Sequence, residues 1–461
     1  MWRWNAPRAS AELRDKRNPI RLECHAPPSD LDFLILMSTA REGDPTASLG
    51  VGVGSGETRK ALCALDDVRV LDLGVFLAGP FCATLLGEFG AEVIKVERPA
   101  SGDPFRSVGG SESMVDGANL WWLQENRNKK SISCDLSNPK GQALIKELAA
   151  RSDILVENFM PGVLERWGLG YEALRAVNRG LIMVRISGYG QTGPNRDQPG
   201  FARVAQAYAG LTYLTGEPDG PPLTPGSTSL ADYCAGLFGA LGALIALHHR
   251  DRGGEGQMID IGLYESIFRL MDTLAVNYGT KGITRERLGR FTTLQAPHGQ
   301  YPTKDRKWIT LACNTNQQFR ALVEALGAGY LADDPRFASP PVRADHRVEL
   351  NPIIEELCQQ RDLEELLEML RRESIPGGPV NSIEEIFADP HFWERGNLVE
   401  MTHEMVGRMV LPGPIPRLSA TPAVPGRFPQ LEIGADNQEV YAGLLGVDAA
   451  EMEQLQAEGV I

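Results

Sequence analysis

Residues 68–97 read VRVLDLGVFLAGPFCATLLGEFGAEVIKVE, and the alternation of apolar runs and small residues in this stretch decides the fold. Val68 to Leu73 is a short apolar strand, and Glu92 to Glu97, carrying Val93, Ile94 and Val96, is a second. Between them Ala78 to Phe89 is small and apolar at helical spacing. Strand, helix and strand within about 30 residues make a βαβ unit, whose two strands lie parallel because the helix carries the chain back to the same sheet end.

Outward from this unit the pattern repeats. Ile154 to Phe159, Leu181 to Ile186 and Met258 to Ile261 are further strand candidates, with helices expected at Pro139 to Arg151 and Ala235 to His249. Strands alternating with helices predict an α/β fold with helices on both faces of the sheet. After about residue 285 the texture changes. One strand, Trp308 to Cys313, precedes a helix at Gln317 to Leu326 and a charged amphipathic stretch from Arg343 to Glu373, as in a smaller α+β module. From Asn437 two short helices are expected to return to the first domain. The chain is thus divided into an N-terminal extension (1–64), a large domain (65–284), a small α+β domain (285–395) and a C-terminal return to the large domain (396–461). The extension is rich in Arg, Pro, Ser and Gly and reads as poorly ordered; Glu12, Asp15, Glu23 and Asp30 fit badly with an acid-poor transit peptide.

Over 461 residues, 60 acidic side chains stand against 46 basic ones, a net charge of -14. That argues against nucleic acid or an anionic membrane surface as a partner, since both need positive faces. The apolar run Ala235 to Leu247 would span about 20 Å as a helix, short of a bilayer core, and reads as a buried helix. The seven cysteines form no C-x-x-C pair and no Cys/His cluster, so neither a metal site nor a disulfide framework is expected, and reduced thiols in a cytoplasm fit best.

The turn after the first strand, Gly74-Val75-Phe76-Leu77-Ala78-Gly79-Pro80, lacks both G-x-G-x-x-G and the P-loop pattern, though its small residues would let a ligand approach a helix N-terminus. No G-x-S-x-G is present, which leaves a hydrolase without its nucleophile. Two basic spots, Lys95 with Arg98 and Arg127 with Lys129 and Lys130, could hold phosphates or could be solvated turns. Ser187 to Pro194 (SGYGQTGP) follows a strand directly, where open α/β sheets place their ligands. Pro297-His298-Gly299 reads as a loop that could line a pocket, and His248-His249 as a helix end. Asp232, just ahead of the long apolar helix, is either an N-cap or a carboxylate nucleophile that must be charged near neutral pH, as an unperturbed Asp is.

In order along the chain, VLDL (70–73) with LAGP (77–80), GAEVIKVE (90–97), NRNKKS (126–131), VENF (156–159) with Pro161-Gly162, SGYGQTGP (187–194) and Ala231-Asp232 resemble the class III CoA-transferases, the CaiB/BaiF family. The resemblance covers roughly residues 65 to 461. It implies a Rossmann-like large domain made from both chain ends, a smaller domain between them, and a homodimer of interlocked rings. It implies transfer of CoA from an acyl-CoA to a small carboxylic acid through an aspartyl anhydride and an aspartyl-CoA thioester, with Asp232 as nucleophile. CoA is then a substrate rather than a resident cofactor, and no metal is required. The family's CoA-contacting positions fall on Leu77, Ala78, Arg98, Cys134, Asn158, Phe159 and Arg166. The members most alike use succinyl-CoA with a dicarboxylate, whose second carboxylate would want a cation such as Arg203, Arg287 or Arg290. The racemase branch carries a histidine where this chain reads Gly200-Phe201-Ala202-Arg203, so racemisation or isomerisation is the disfavoured alternative, followed by CoA binding without turnover. The glycine-run loop of formyl-CoA transferases is replaced by Thr292 to Gln300, and Gly434-Ala435-Asp436 replaces the family's Gly-x-His.

Overall fold

The computed structural model describes residues 63–423 and 426–461. The expected N-terminal extension, 1–64, therefore lies outside the described residues apart from its last two positions. At the centre are six strands, β1 (Arg69–Asp72), β2 (Glu92–Glu97), β3 (Lys129–Ser133), β4 (Ile154–Glu157), β5 (Ile182–Ser187) and β6 (Met258–Gly262). Their spatial order is β3-β2-β1-β4-β5-β6, and every neighbouring pair is parallel. Alternate residues feed two separate cores, as a sheet covered on both faces requires. Val70, Val93, Val156 and Val184 enter one core with α1 (Ala78–Glu88) and the long Leu230–Asp251 helix. Leu71, Ile94, Leu155 and Met183 enter the other, with α2 (Pro139–Ala149) and the C-terminal helices Gln438–Leu445 and Ala449–Ala457. The order reverses between β1 and β4, so the loops leaving those two strands diverge and open a crevice at their carboxyl ends, the usual ligand position in such sheets.

Beyond the large sheet, β7 (His298–Pro302), β8 (Trp308–Ala312) and β9 (Gly377–Pro379) form a small antiparallel sheet with its own core, including Ile309, Leu311, Phe319 and Leu322. A hairpin, β10 (Leu398–His403) and β11 (Gly407–Pro412), places Met409 and Leu411 against Leu77, Phe105 and Trp122.

Several expectations need correction. Strand β3, Lys-Lys-Ser-Ile-Ser, was hidden because Ile132 is its one large apolar side chain. Lys129 in it is buried all the same, paired to Asp72 at 2.9 Å. The free edge of β3 is fastened by the segment that replaces the Gly-x-His pattern. Asp436 Oδ2 accepts from Ser131 N–H at 2.6 Å and Asn437 Oδ1 from Ser133 N–H at 2.9 Å. Of Pro297-His298-Gly299, expected as a loop, His298 and Gly299 open β7 and Pro297 lies just ahead of it. With α3 (Ala202–Tyr208) intervening, the long apolar helix α4 runs from Leu230 to Asp251, 22 residues rather than the core seen in the sequence. By length and composition alone α4 could cross a membrane, yet half of its most apolar stretch is buried against its own sheet. Asp232 therefore lies inside α4, and Ser229 is the residue at the N-cap position.

Candidate active site at the sheet switch point

The loop after β1 is held rigid from below. Asp72 Oδ1 accepts from Gly74 N–H at 2.9 Å, and its Oδ2 lies 2.9 Å from Lys129 Nζ, which also donates to Pro80 O at 2.7 Å. Lys95 pairs with Asp103 Oδ2 at 2.9 Å and donates to Gly74 O, while Asp103 Oδ1 accepts from Phe76 N–H at 3.0 Å. Burial works against the charge on Lys95, but the carboxylates of Asp103, Asp72 and Glu97 overcome it and raise its pKa; burial pushes the Lys129 ammonium down despite Asp72. Arg127 pairs with buried Glu88, and Lys130 with Glu92 and Glu439. The two basic spots are thus mainly neither phosphate ligands nor solvated turns. All but Arg98, which is exposed and has no ion pair among the described residues, are spent on internal ion pairs. Phe76 sits at φ 59°, a left-handed backbone that costs a non-glycine residue strain and persists only where surroundings enforce it.

From the β4 side, Asn158 closes the crevice. Its Oδ1 accepts from Val75 N–H and its Nδ2 donates to Val75 O, both at 2.7 Å, so both amide groups clamp the β1 loop to the β4 loop. On the third side α4 lies close to α1 because glycines replace side chains where they meet. A Cβ on Gly236 would stand 2.8 Å from Phe81 Cδ1 and 3.0 Å from Ala78 O, and one on Gly239 3.0 Å from Cys82 Sγ. This seam brings Asp232, in the first turn of α4, over the start of α1.

Two adjoining cavities follow. One, of about 280 Å³, is lined by Leu77, Ala78, Asn158, Phe159, Phe201 and Asp232 among others. The other, of about 240 Å³, is lined by Arg98, Cys134, Phe159 and Trp167 among others. Val75 and Phe159 belong to both walls, and the Phe159 ring meets Trp167 edge-on at 5.6 Å. Of the residues singled out in the sequence, Asp232, Leu77, Ala78, Asn158 and Phe159 share the first cavity; Arg98 and Cys134 line the second; Arg166, exposed at the end of the short Val163–Arg166 helix, lines neither. Arg290 is tied to Glu355 at 2.7 Å, and Arg287 donates to Tyr213 O at 2.7 Å. Arg203 is exposed, two positions after Phe201, without an ion pair among the described residues.

Asp232 does not have the ordinary acidity expected of it. Its side chain is half-buried among Leu77, Ile186, Phe201 and Leu263, and no side-chain hydrogen bond or ion pair to it exists among the described residues. Burial alone pushes its pKa up to about 7. The α4 dipole favours a negative charge in this first turn, but desolvation prevails. A carboxylate with no competing partner, facing a cavity, is available to an electrophile. Cys134 is different: burial raises its thiol to about 12, which keeps it protonated and makes it wall rather than nucleophile. No group of three or more His, Cys, Asp or Glu side chains that could hold a metal occurs among the described residues. Phe76 and Ser187, not named individually as site residues from the sequence, also lie in the Asp232 cavity wall; each belongs to a stretch the sequence singled out, the turn 74–80 and the strand-end loop 187–194.

The profile of CoA-transferase family III matches residues 65–437. The succinyl-CoA–L-malate CoA-transferase alpha subunit of Chloroflexus aurantiacus is 44% identical over 426 residues, 91% of this chain and 96% of that protein. The mouse succinyl-CoA:glutarate CoA-transferase is 36% identical, covering 86% of this chain and 90% of its own. Among solved structures, a CaiB/BaiF family protein from Brucella suis superposes with a TM-score of 0.71 at 33% identity, over 84% of this chain and all of its own.

Proposed function

The chain belongs to CoA-transferase family III, and from that premise we propose that it moves CoA from succinyl-CoA to a dicarboxylic acid through acyl intermediates on Asp232. The observation that carries this reading is the unpartnered Asp232 carboxylate in the wall of the switch-point cavity. One carboxylate oxygen attacks the thioester carbonyl carbon, the C–S bond breaks, and CoA thiolate leaves with the electron pair, giving a mixed anhydride. The retained thiolate attacks the Asp232 carbonyl carbon and expels succinate, forming an aspartyl-CoA thioester. The acceptor carboxylate attacks that thioester, expels the thiolate and forms a new anhydride, from which the thiolate takes the acyl group and frees Asp232. The second cavity suits the CoA body, with Arg98 for its phosphates, Phe159 and Trp167 as apolar walls, and Arg166 as a further cation at the surface. Remote contacts of this kind hold the thiolate through the sequence and lend binding energy to the reacting end. Dicarboxylate acceptors are favoured because the named relatives take malate or glutarate. Racemisation is disfavoured by Phe201 and Arg203 standing where a proton-shuttling histidine would be needed.

Mixing the enzyme with succinyl-CoA and trapping with hydroxylamine or borohydride is expected to mark the peptide that holds Asp232; label on any other peptide, or none, removes the proposal.

The raised pKa of Asp232 sets a pH profile. The nucleophile is the ionised form, so kcat/KM for the acyl-CoA donor is expected to rise about tenfold per pH unit up to about 7 and then level. A flat profile from about pH 5 to about pH 8 would exclude Asp232 as the group whose ionisation limits the reaction.

We further propose a homodimer, with 65–284 and 396–461 as the large domain and 285–395 as the small one. Leu237, Leu241, Leu244 and Ile245 form an exposed apolar stripe along α4, at the spacing of one helix face, and the second subunit would cover it. Sedimentation equilibrium should return the mass of two chains; a stable monomer at micromolar concentration is the contrary result.

A further inference from the structure

We infer that Ser187 is a hydrogen-bond donor to the carbonyl oxygen on which negative charge develops when Asp232 attacks the thioester; this rests on the reading of Asp232 as nucleophile. Ser187 ends β5, is 6% exposed, and lies in the wall of the Asp232 cavity. Its Oγ is buried without any hydrogen-bond partner. The other buried serine and threonine hydroxyls among the described residues behave otherwise. Thr84, Ser131, Ser152, Ser266 and Thr303 each donate to an oxygen, and Ser133 Oγ accepts from Asn437. A buried hydroxyl without a partner is unfavourable, and alanine or valine would serve a purely structural strand end better. The hydroxyl is therefore accounted for by a partner that arrives with the substrate.

The cavity wall supplies the reason for such a donor. Around Asp232 it is mostly apolar, with Leu77, Ala78, Ile186, Phe201 and Leu263, and an oxyanion formed among these groups would be poorly solvated. With Asp232 presented from α4 and Ser187 from the end of β5, a thioester carbonyl between them offers its carbon to the carboxylate and its oxygen to the hydroxyl. As the C–O bond to Asp232 forms, the carbonyl π pair moves onto oxygen, and Ser187 Oγ–H donates to it without giving up its proton. When the tetrahedral species collapses the pair returns, the C–S bond breaks and sulfur leaves as thiolate. A fixed dipole aimed at developing charge in a poorly hydrated site stabilises the transition state more than the ground state.

The test compares Ser187→Ala, Ser187→Thr and Asp232→Asn in full-length enzyme, with succinyl-CoA as donor. Ser187→Ala is expected to lower kcat about 100-fold with KM for succinyl-CoA within about threefold of the parent. Its melting temperature should be unchanged or higher, because an orphaned hydroxyl is removed. Ser187→Thr, which keeps the donor, should recover at least a tenth of parental kcat. In a single turnover, acylation of Asp232 should slow to the same degree as kcat in Ser187→Ala. Parental kcat in Ser187→Ala, or a fall in kcat accompanied by a lower melting temperature and a raised KM, overturns the assignment. If Asp232→Asn is inactive while Ser187→Ala turns over like the parent, the Ser187 inference alone fails; if Asp232→Asn turns over, the nucleophile reading fails.

Discussion

Asp232→Asn is expected to lower CoA transfer by at least about 10,000-fold while leaving acyl-CoA binding nearly intact. An amide oxygen cannot form the anhydride or accept the acyl group, so every covalent step is lost, not merely slowed at one transition state. The walls proposed to hold CoA, around Arg98, Phe159 and Trp167, lie in the neighbouring cavity and are untouched by the change. The same variant also tests the electrostatics. Burial raises the folded-state pKa of Asp232 to about 7, above that of an unfolded aspartate. The folded protein therefore holds a proton that the unfolded chain has released between about pH 4 and about pH 7, and the parent loses stability as pH rises through that window. Asp232→Asn, which cannot ionise, should exceed the parent in melting temperature by more at about pH 8 than at about pH 5. Calorimetry at the two pH values and steady-state transfer assays check both parts. Turnover at the parental rate would sink the nucleophile; an equal melting difference at both pH values would sink the buried-charge account.

Lys129→Met should be the most damaging single change beneath the site. It removes the ammonium 2.9 Å from Asp72 Oδ2 and the donor to Pro80 O and Asn126 Oδ1, all in the buried interior. Asp72 is fully buried and would lose its direct ion-pair partner, with Lys95 as the remaining nearby cation. Removing one partner of such a pair destabilises by about 3–5 kcal/mol. Replacing both partners with apolar residues restores part of this, since the stranded charge is what harms the fold. Lys129→Met with Asp72→Leu is therefore expected to melt above Lys129→Met alone, though still with impaired transfer because Gly74 loses its acceptor. Denaturant titration of the single and double variants measures this directly. A Lys129→Met protein as stable as the parent would show that the pair does not hold the β1 loop.

The parallel sheet was legible because β1, β2, β4 and β5 are apolar on both faces, as strands covered by helices must be. β3 was not, because what buries it is charge pairing between residues far apart in sequence: Lys129 and Asp72 meet only once the sheet exists. The same cause misdirected the reading of Lys95 and Arg127, whose carboxylate partners Asp103 and Glu88 lie 8 and 39 positions away. Asp232 was found by its place in an ordered run of motifs, yet its environment could not be read there. Its raised pKa comes from burial among side chains delivered by separate segments, among them Leu77, Ile186, Phe201 and Leu263. Ser187 was visible as the first residue of the 187–194 stretch at a strand end; that its hydroxyl, unlike the other buried serine and threonine hydroxyls among the described residues, lacks a partner follows from the packing around it.

The fastening of β3 by Asp436 and Asn437 bears on how the chain is made. On the ribosome the outermost parallel strand emerges some 300 residues before the groups that satisfy Ser131 and Ser133, the sequence separation of those two hydrogen bonds being 305 and 304. For most of translation that margin is bare, an open invitation to another nascent chain. Synthesis of the last few dozen residues is then what turns a sticky precursor into a closed enzyme.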